Sequence, residues 1–166
     1  MHGFENRKTA VWRALERRII PKLEGLLTKE NVDKAGNKSK VIRPPMVLAL
    51  MKLFQKFPED FFESKLPHIL TVICDSLRNR DSDIRDVARS TMAKIATGMD
   101  LKYLADVMRE LMITLNEGYK LHVRSATVHS ILQELQLHYT PSPAGHGDDS
   151  TVSSFDTALP AIMEII

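Results

Sequence analysis

Leu66-Pro67-His68-Ile69-Leu70-Thr71-Val72-Ile73 is the stretch on which the fold turns, because the chain carries the same octapeptide pattern in three other places. Upstream it reads Ile20-Pro21-Lys22-Leu23-Glu24-Gly25-Leu26-Leu27. Downstream it reads Leu101-Lys102-Tyr103-Leu104-Ala105-Asp106-Val107-Met108 and Leu159-Pro160-Ala161-Ile162-Met163-Glu164-Ile165-Ile166. Apolar residues at i, i+3, i+6 and i+7 lay one oily stripe along a helix. The prolines suit a first helical turn, where the missing N–H breaks no bond. A helix returning at this distance predicts a stacked helical array.

A second landmark follows each of the first three copies. Ile42-Arg43 leads into Met46, Leu50, Leu53 and Phe54, Ile84-Arg85 into Val87, Ala88, Met92 and Ile95, and Val123-Arg124 into Ala126, Thr127, Ile131 and Leu135. These arginines stand 42 and 39 residues apart, within the period of a HEAT or armadillo unit. The expected fold is therefore all-α, a HEAT/armadillo-like α-solenoid of antiparallel helix pairs without a sheet. About three units fill residues 1–139. In the middle unit, helix A is expected from about Leu66 to Leu77. Asp81 or Ser82 then caps helix B by accepting from its free N–H groups, and Gly98 ends it. Gly118-Tyr119 makes the break inside the third unit. The expected core joins Leu66, Ile69, Val72, Ile73, Ile84, Val87, Ala88, Met92 and Ile95.

Two stretches interrupt the periodicity. Residues 28–40, rich in Lys, Asn and Gly, read as a long mobile loop between the helices of the first unit. Residues 140–154 are full of Pro, Gly, Ser and Asp and read as a disordered linker. Residues 155–166 then open a helix whose apolar stripe has no partner, so the sequence reads as a piece of a longer solenoid.

Charge is unevenly spread. Residues 1–56 carry 13 Lys/Arg against 5 Asp/Glu, a net of +8, while residues 57–166 carry 10 against 16, a net of −6. Phosphate contacts require dense Lys and Arg in no fixed motif. The candidates for contact with RNA or a partner are thus Arg13, Arg17, Arg18, Lys22, Lys34, Lys38, Lys40 and Arg43. Arg85 and Arg124 are expected instead to pair with acidic groups of the neighbouring repeat.

Catalytic chemistry has little to stand on. Cys74 lies inside an apolar helical stretch and reads as a small buried hydrophobe. His122 and His129 share a helix face but have no further ligands for a metal. Asp81, Asp83 and Asp86 coincide with helix-capping and first-turn positions, and no glycine-rich phosphate loop occurs. The expectation is no enzyme, no cofactor and no small-molecule substrate. The polar first residues and the lack of a long apolar run point away from a signal peptide and a membrane span, toward cytosol or nucleus.

Arg85-Asp86-Val87-Ala88-Arg89-Ser90-Thr91-Met92-Ala93-Lys94-Ile95-Ala96 and the run Gly118-Tyr119-Lys120-Leu121-His122-Val123-Arg124-Ser125-Ala126-Thr127-Val128-His129-Ser130-Ile131-Leu132 are more specific than generic repeat helices. Together they resemble the DRIM family, the large HEAT-repeat scaffold component twenty of the small-subunit processome. The resemblance covers about Asn6 to Leu137 and resumes at the terminal octapeptide. It implies an internal fragment of a much longer, non-catalytic scaffold in the nucleus and nucleolus. The implied work is small-subunit ribosomal RNA processing and pre-ribosome assembly, with ribosome-assembly proteins and pre-ribosomal RNA as partners. It implies no particular binding residue. The repeat pattern alone equally suits a HEAT adaptor of another class, such as a nuclear transport receptor or phosphatase scaffold.

Overall fold

The computed structural model describes residues 11–32, 36, 38–139 and 163. The expected linker and, apart from Met163, the terminal octapeptide lie outside the described residues. The described part is mostly helical.

Residues 11–14 are α-helical, Leu15–Ile19 widen into a π turn, and α1 (Ile20–Glu24) follows without a break. Pro21 accounts for the widening. Its ring would collide with the Arg17 carbonyl of a regular helix, and a π turn, in which the Ile20 N–H reaches back to the Leu15 carbonyl, relieves such a conflict.

Where the sequence reading expects a mobile loop and no sheet, the chain forms a hairpin. Strand β1 (Thr28–Val32) pairs antiparallel with β2 (Lys38–Ile42), Thr28 opposite Ile42 and Val32 opposite Lys38. Gly36 sits between them at φ 82°, a left-handed conformation that glycine takes without steric cost. The base of the hairpin is anchored: Ile42 is buried in the core, and the Arg43 N–H donates to the Leu27 carbonyl at 2.7 Å. The ladder is made by backbone groups, so a polar sequence can form it.

Five longer segments complete the architecture. α2 (Pro44–Phe54) opens on its two prolines. α3 (Glu59–Leu77) starts well before the octapeptide, so Pro67 lies inside the helix and not in its first turn. In α4 (Ser82–Gly98) the Asp81 carboxylate accepts the Asp83 N–H at 2.9 Å, as the capping reading requires. A 3-10 turn (Leu101–Tyr103), capped by Asp100, runs into α5 (Leu104–Thr114). Gly118, at φ 55°, reverses the chain into α6 (Tyr119–Tyr139).

Helices two apart in sequence pack side by side: α2 with α4, α4 with α6, and α3 with α5. Neighbours α3 and α4 also pack together. The result is two rows, one holding α3 and α5, the other α2, α4 and α6. The long-range side-chain hydrogen bonds show how regularly the rows advance. Gln55 Nε2 reaches the Gly98 carbonyl, Lys65 Nζ reaches Glu24, Thr71 reaches Glu110, Tyr103 reaches Glu59 and Glu63, and Tyr119 reaches the Arg78 carbonyl. All of these join residues 39 to 44 apart. That interval matches the arginine spacing.

One continuous apolar core runs from Ile20 through Ile69, Ile73 and Met92 to Leu135. Of the expected core, Leu66, Ile69, Ile73, Ile84, Ala88, Met92 and Ile95 are buried, and Val72 packs against them. Val87 does not belong there, being 40% exposed. The buried hydroxyls of Thr91 and Thr127 donate to the Val87 and Val123 carbonyls at 2.7 Å, so their burial leaves no polar group unsatisfied.

Candidate nucleic-acid interface

The candidate basic residues fall on two consecutive elements. Arg13, Arg17, Arg18 and Lys22 are exposed on the first helical segment, and Lys38 and Lys40 are exposed on β2. Lys34 lies outside the described residues. Arg43 differs from the rest: it is half-buried, and its backbone joins the hairpin to α2 by accepting the Met46 and Val47 N–H groups.

Two features hold this region against the rest of the molecule. Trp12 lies 4.2 Å from Phe57 and 5.7 Å from Phe61 between ring centroids, and Phe57 stacks on Phe61 at 4.9 Å. Lys65 on α3 pairs with Glu24 at 3.1 Å, with both side chains largely covered. Glu24 is therefore neutralised from behind and leaves the outward cations of the first segment unopposed by it. On the hairpin, Glu30 stands opposite Lys40 and pairs with Lys38 at 3.8 Å. That pair is exposed, 73% and 66%, and such pairs exchange readily for other partners.

The two repeat arginines do not form the expected ladder. Arg85 donates to the Asn79 and Arg80 carbonyls at 2.9 and 2.7 Å and so ties down the turn between α3 and α4. The Nε of Arg124 is buried without a hydrogen-bond partner. Cys74 is fully buried, and burial, reinforced by the charge of Glu110, pushes its thiol up to about 12. His122 and His129 are exposed. Among the described residues no group of three His, Cys, Asp or Glu is placed to hold a metal, and no helix is long and apolar enough to cross a membrane.

A feature with no sequence signal lies between α3 and α5. A groove of about 390 Å³ is lined by Leu66, Pro67, Leu70 and Ile113 on its apolar side and by Glu63, Asp106 and Glu110 among its charged residues. Its parts come from two helices roughly one repeat apart, so no local motif marks it. Burial, then the Glu63 charge, raise the pKa of the Tyr103 hydroxyl beside it.

Residues 33–166 match the family model of the U3 small nucleolar RNA-associated protein 20 domain. The U3 small nucleolar RNA-associated protein 20 of Saccharomyces cerevisiae is 37% identical over 124 residues, which is 75% of this chain and 5% of the yeast protein. The protein of the same name from Schizosaccharomyces pombe is 29% identical over 114 residues, 69% of this chain and 5% of that relative. The chain thus spans about one twentieth of the length of these two relatives. With the family model matching well over half of its residues, the chain belongs to the U3 small nucleolar RNA-associated protein 20 family.

Proposed function

We propose that this chain is a non-catalytic HEAT-type scaffold segment that acts in small-subunit ribosomal RNA processing and pre-ribosome assembly in the nucleolus. Family membership carries the reading, since both relatives are named for association with U3 small nucleolar RNA. The scaffold part of the proposal is supported by the interval of 39 to 44 residues that every long-range side-chain bond named above respects. An array of helix pairs stacked at one period offers extended surfaces and works by holding partners. Its partners are ribosome-assembly proteins and pre-ribosomal RNA.

Sedimentation of the tagged protein from cells tests this. Migration with nucleolar pre-ribosomal particles is expected. Migration with transport receptors or a phosphatase would put it among HEAT adaptors of another class.

Within that role, the basic surface of the first helix and hairpin meets RNA through its phosphates. Such contact releases condensed counterions and falls steeply with salt. Changing Lys34, Lys38 and Lys40 together to Glu should lower RNA affinity at low salt by about tenfold or more and flatten the salt slope. The helical core should stay intact, because Lys38 and Lys40 are exposed, while the hairpin itself loses some stability as Glu30 comes to face two further carboxylates. Equal RNA affinity for both proteins would remove the hairpin from the interface.

A further inference from the structure

We propose that the groove between α3 and α5 binds a basic protein segment, its lysine or arginine heads on the carboxylates and an aliphatic side chain on the apolar wall. The open part of the wall is Ile113, 64% exposed, and the exposed Pro67, set over the buried Leu66 and Leu70. A large aliphatic side chain left in water gains by being covered. The volume of about 390 Å³ lies in the range that accommodates a few side chains.

The charges of the groove select the occupant. Asp106 is already paired with Arg109 at 2.7 Å. Glu110 accepts only hydroxyls, from Thr71 at 3.2 Å and Thr114 at 3.3 Å, and Glu63 accepts one from Tyr103 at 3.5 Å. Among the described residues neither Glu63 nor Glu110 has a cationic partner. Each carboxylate keeps open lone pairs facing a half-apolar trough. Their field reaches inward, adding to burial in raising the pKa of Tyr103 (Glu63) and of Cys74 (Glu110). Arg109 also lines the groove but is held by Asp106, so the charge left over is that of Glu63 and Glu110, which disfavours a polyphosphate chain or an acidic peptide. A segment alternating cations with aliphatic residues complements both halves. The proposal concerns a different surface from the basic one and does not rest on the RNA reading.

Fluorescence anisotropy on the full chain tests it with four labelled probes. These are a peptide alternating Lys or Arg with Leu, the same peptide with Glu for the cations, the same peptide with Ser for Leu, and a single-stranded RNA. The basic leucine peptide should bind best of the three peptides. Glu63→Gln combined with Glu110→Gln should weaken it by about tenfold, the loss of two charge pairs, and Ile113→Ser by severalfold. Asp60→Asn with Asp83→Asn, exposed acids outside the groove, should leave it unchanged. If the carboxylate variant loses its helical circular dichroism, Ile113→Ser decides, since that position is exposed. The proposal is overturned if the control pair weakens binding as much as the groove pair, if the Glu peptide or the Ser peptide binds as well as the basic leucine one, if the groove pair weakens the RNA as much as the peptide, or if Ile113→Ser binds like the parent.

Discussion

Aspartate placed at two positions of neighbouring helices tests the packing more sharply than any single substitution. Ile69 on α3 is 1% exposed, while Val87 on α4 is 40% exposed. Both belong to the same apolar pattern in the sequence, so a pattern argument assigns them equal cost. The structure does not. Truncating a fully buried Ile to Ala costs about 2–5 kcal/mol in transfer and cavity terms. Aspartate at Ile69 adds a carboxylate in a site walled by the apolar core, where an unpaired polar group costs a further few kcal/mol even after it protonates. The total, about 5 kcal/mol or more, rivals the whole stability of a typical domain, about 5–15 kcal/mol.

At Val87 the same change removes only part of a burial worth about 1.5–3 kcal/mol when complete. The new charge stays hydrated, and Val and Asp have similar helix propensities. Ile69→Asp should therefore be largely unfolded or melt well over 10 °C lower, as about 5 kcal/mol implies for this size. Val87→Asp should cost about 1 kcal/mol. Urea denaturation followed by far-UV circular dichroism measures both. Equal midpoint shifts for the two variants, or an Ile69→Asp protein as stable as the parent, would refute the packing described here.

Cys74, with its thiol pushed up to about 12 from 9.0, favours the fold as the neutral thiol. That contribution is fully present below about pH 9 and is lost as pH rises toward 12. Near pH 8 a thiol reagent should label the native chain only as fast as it unfolds, and immediate native labelling would contradict the burial. Trp12→Ala should cost about 2 kcal/mol, combining a half-buried aromatic with its ring pairs. Amide exchange should rise at Ile20 and Leu23 in that variant while α4 stays protected; uniform loss of protection would mean that the first segment is not separately anchored. Arg85→Met should loosen the turn at Asn79 and Arg80, whose carbonyls lose their donor, at a cost of about 1.5–3 kcal/mol for charged hydrogen bonds. An unchanged melting temperature would show the bonds to be dispensable.

The mostly helical fold was legible, but the two landmarks used to read it were not equally reliable. The arginine spacing of 42 and 39 residues agrees with the 39 to 44 residues separating bonded partners. The first three octapeptides stand 46 and 35 apart and straddle that value. The reason lies in the helix. A stripe recurring every three or four residues matches itself after sliding by one turn, so an octapeptide fixes the face of a helix without fixing its register. Leu66 is consequently deep inside α3, whereas Leu101 opens a 3-10 turn. Arg85 and Arg124 sit near the beginnings of α4 and α6, where turn geometry pins the register. Their chemistry was misread all the same, since a charge pattern cannot say whether the nearest acceptor is a carboxylate or a backbone carbonyl.

Val87 and the hairpin show where one-dimensional reading stops. On α4, Ala88, Met92 and Ile95 turn to one side of Ile84 or close to it, and Val87 falls about 60° to the other side at about 100° per residue. Which flank is covered depends on where α6 lies, and that is a tertiary fact. The hairpin is hidden for a different reason. Thr28–Val32 and Lys38–Ile42 have apolar anchors only at the base, at Ile42 and the neighbouring Leu27, and polar residues with lysines outside. Lysines on a short two-stranded ribbon blunt its edge against pairing with other chains. The same composition reads as a loop when only hydrophobic periodicity is consulted. Lys38 and Lys40 are therefore on a strand where the sequence reading expects a mobile loop. An ordered ribbon holds Lys38 and Lys40 on one face, two residues apart across from Val32 and Glu30, so any partner of this face would meet a fixed pair of cations, which loses less freedom on contact than a mobile loop would.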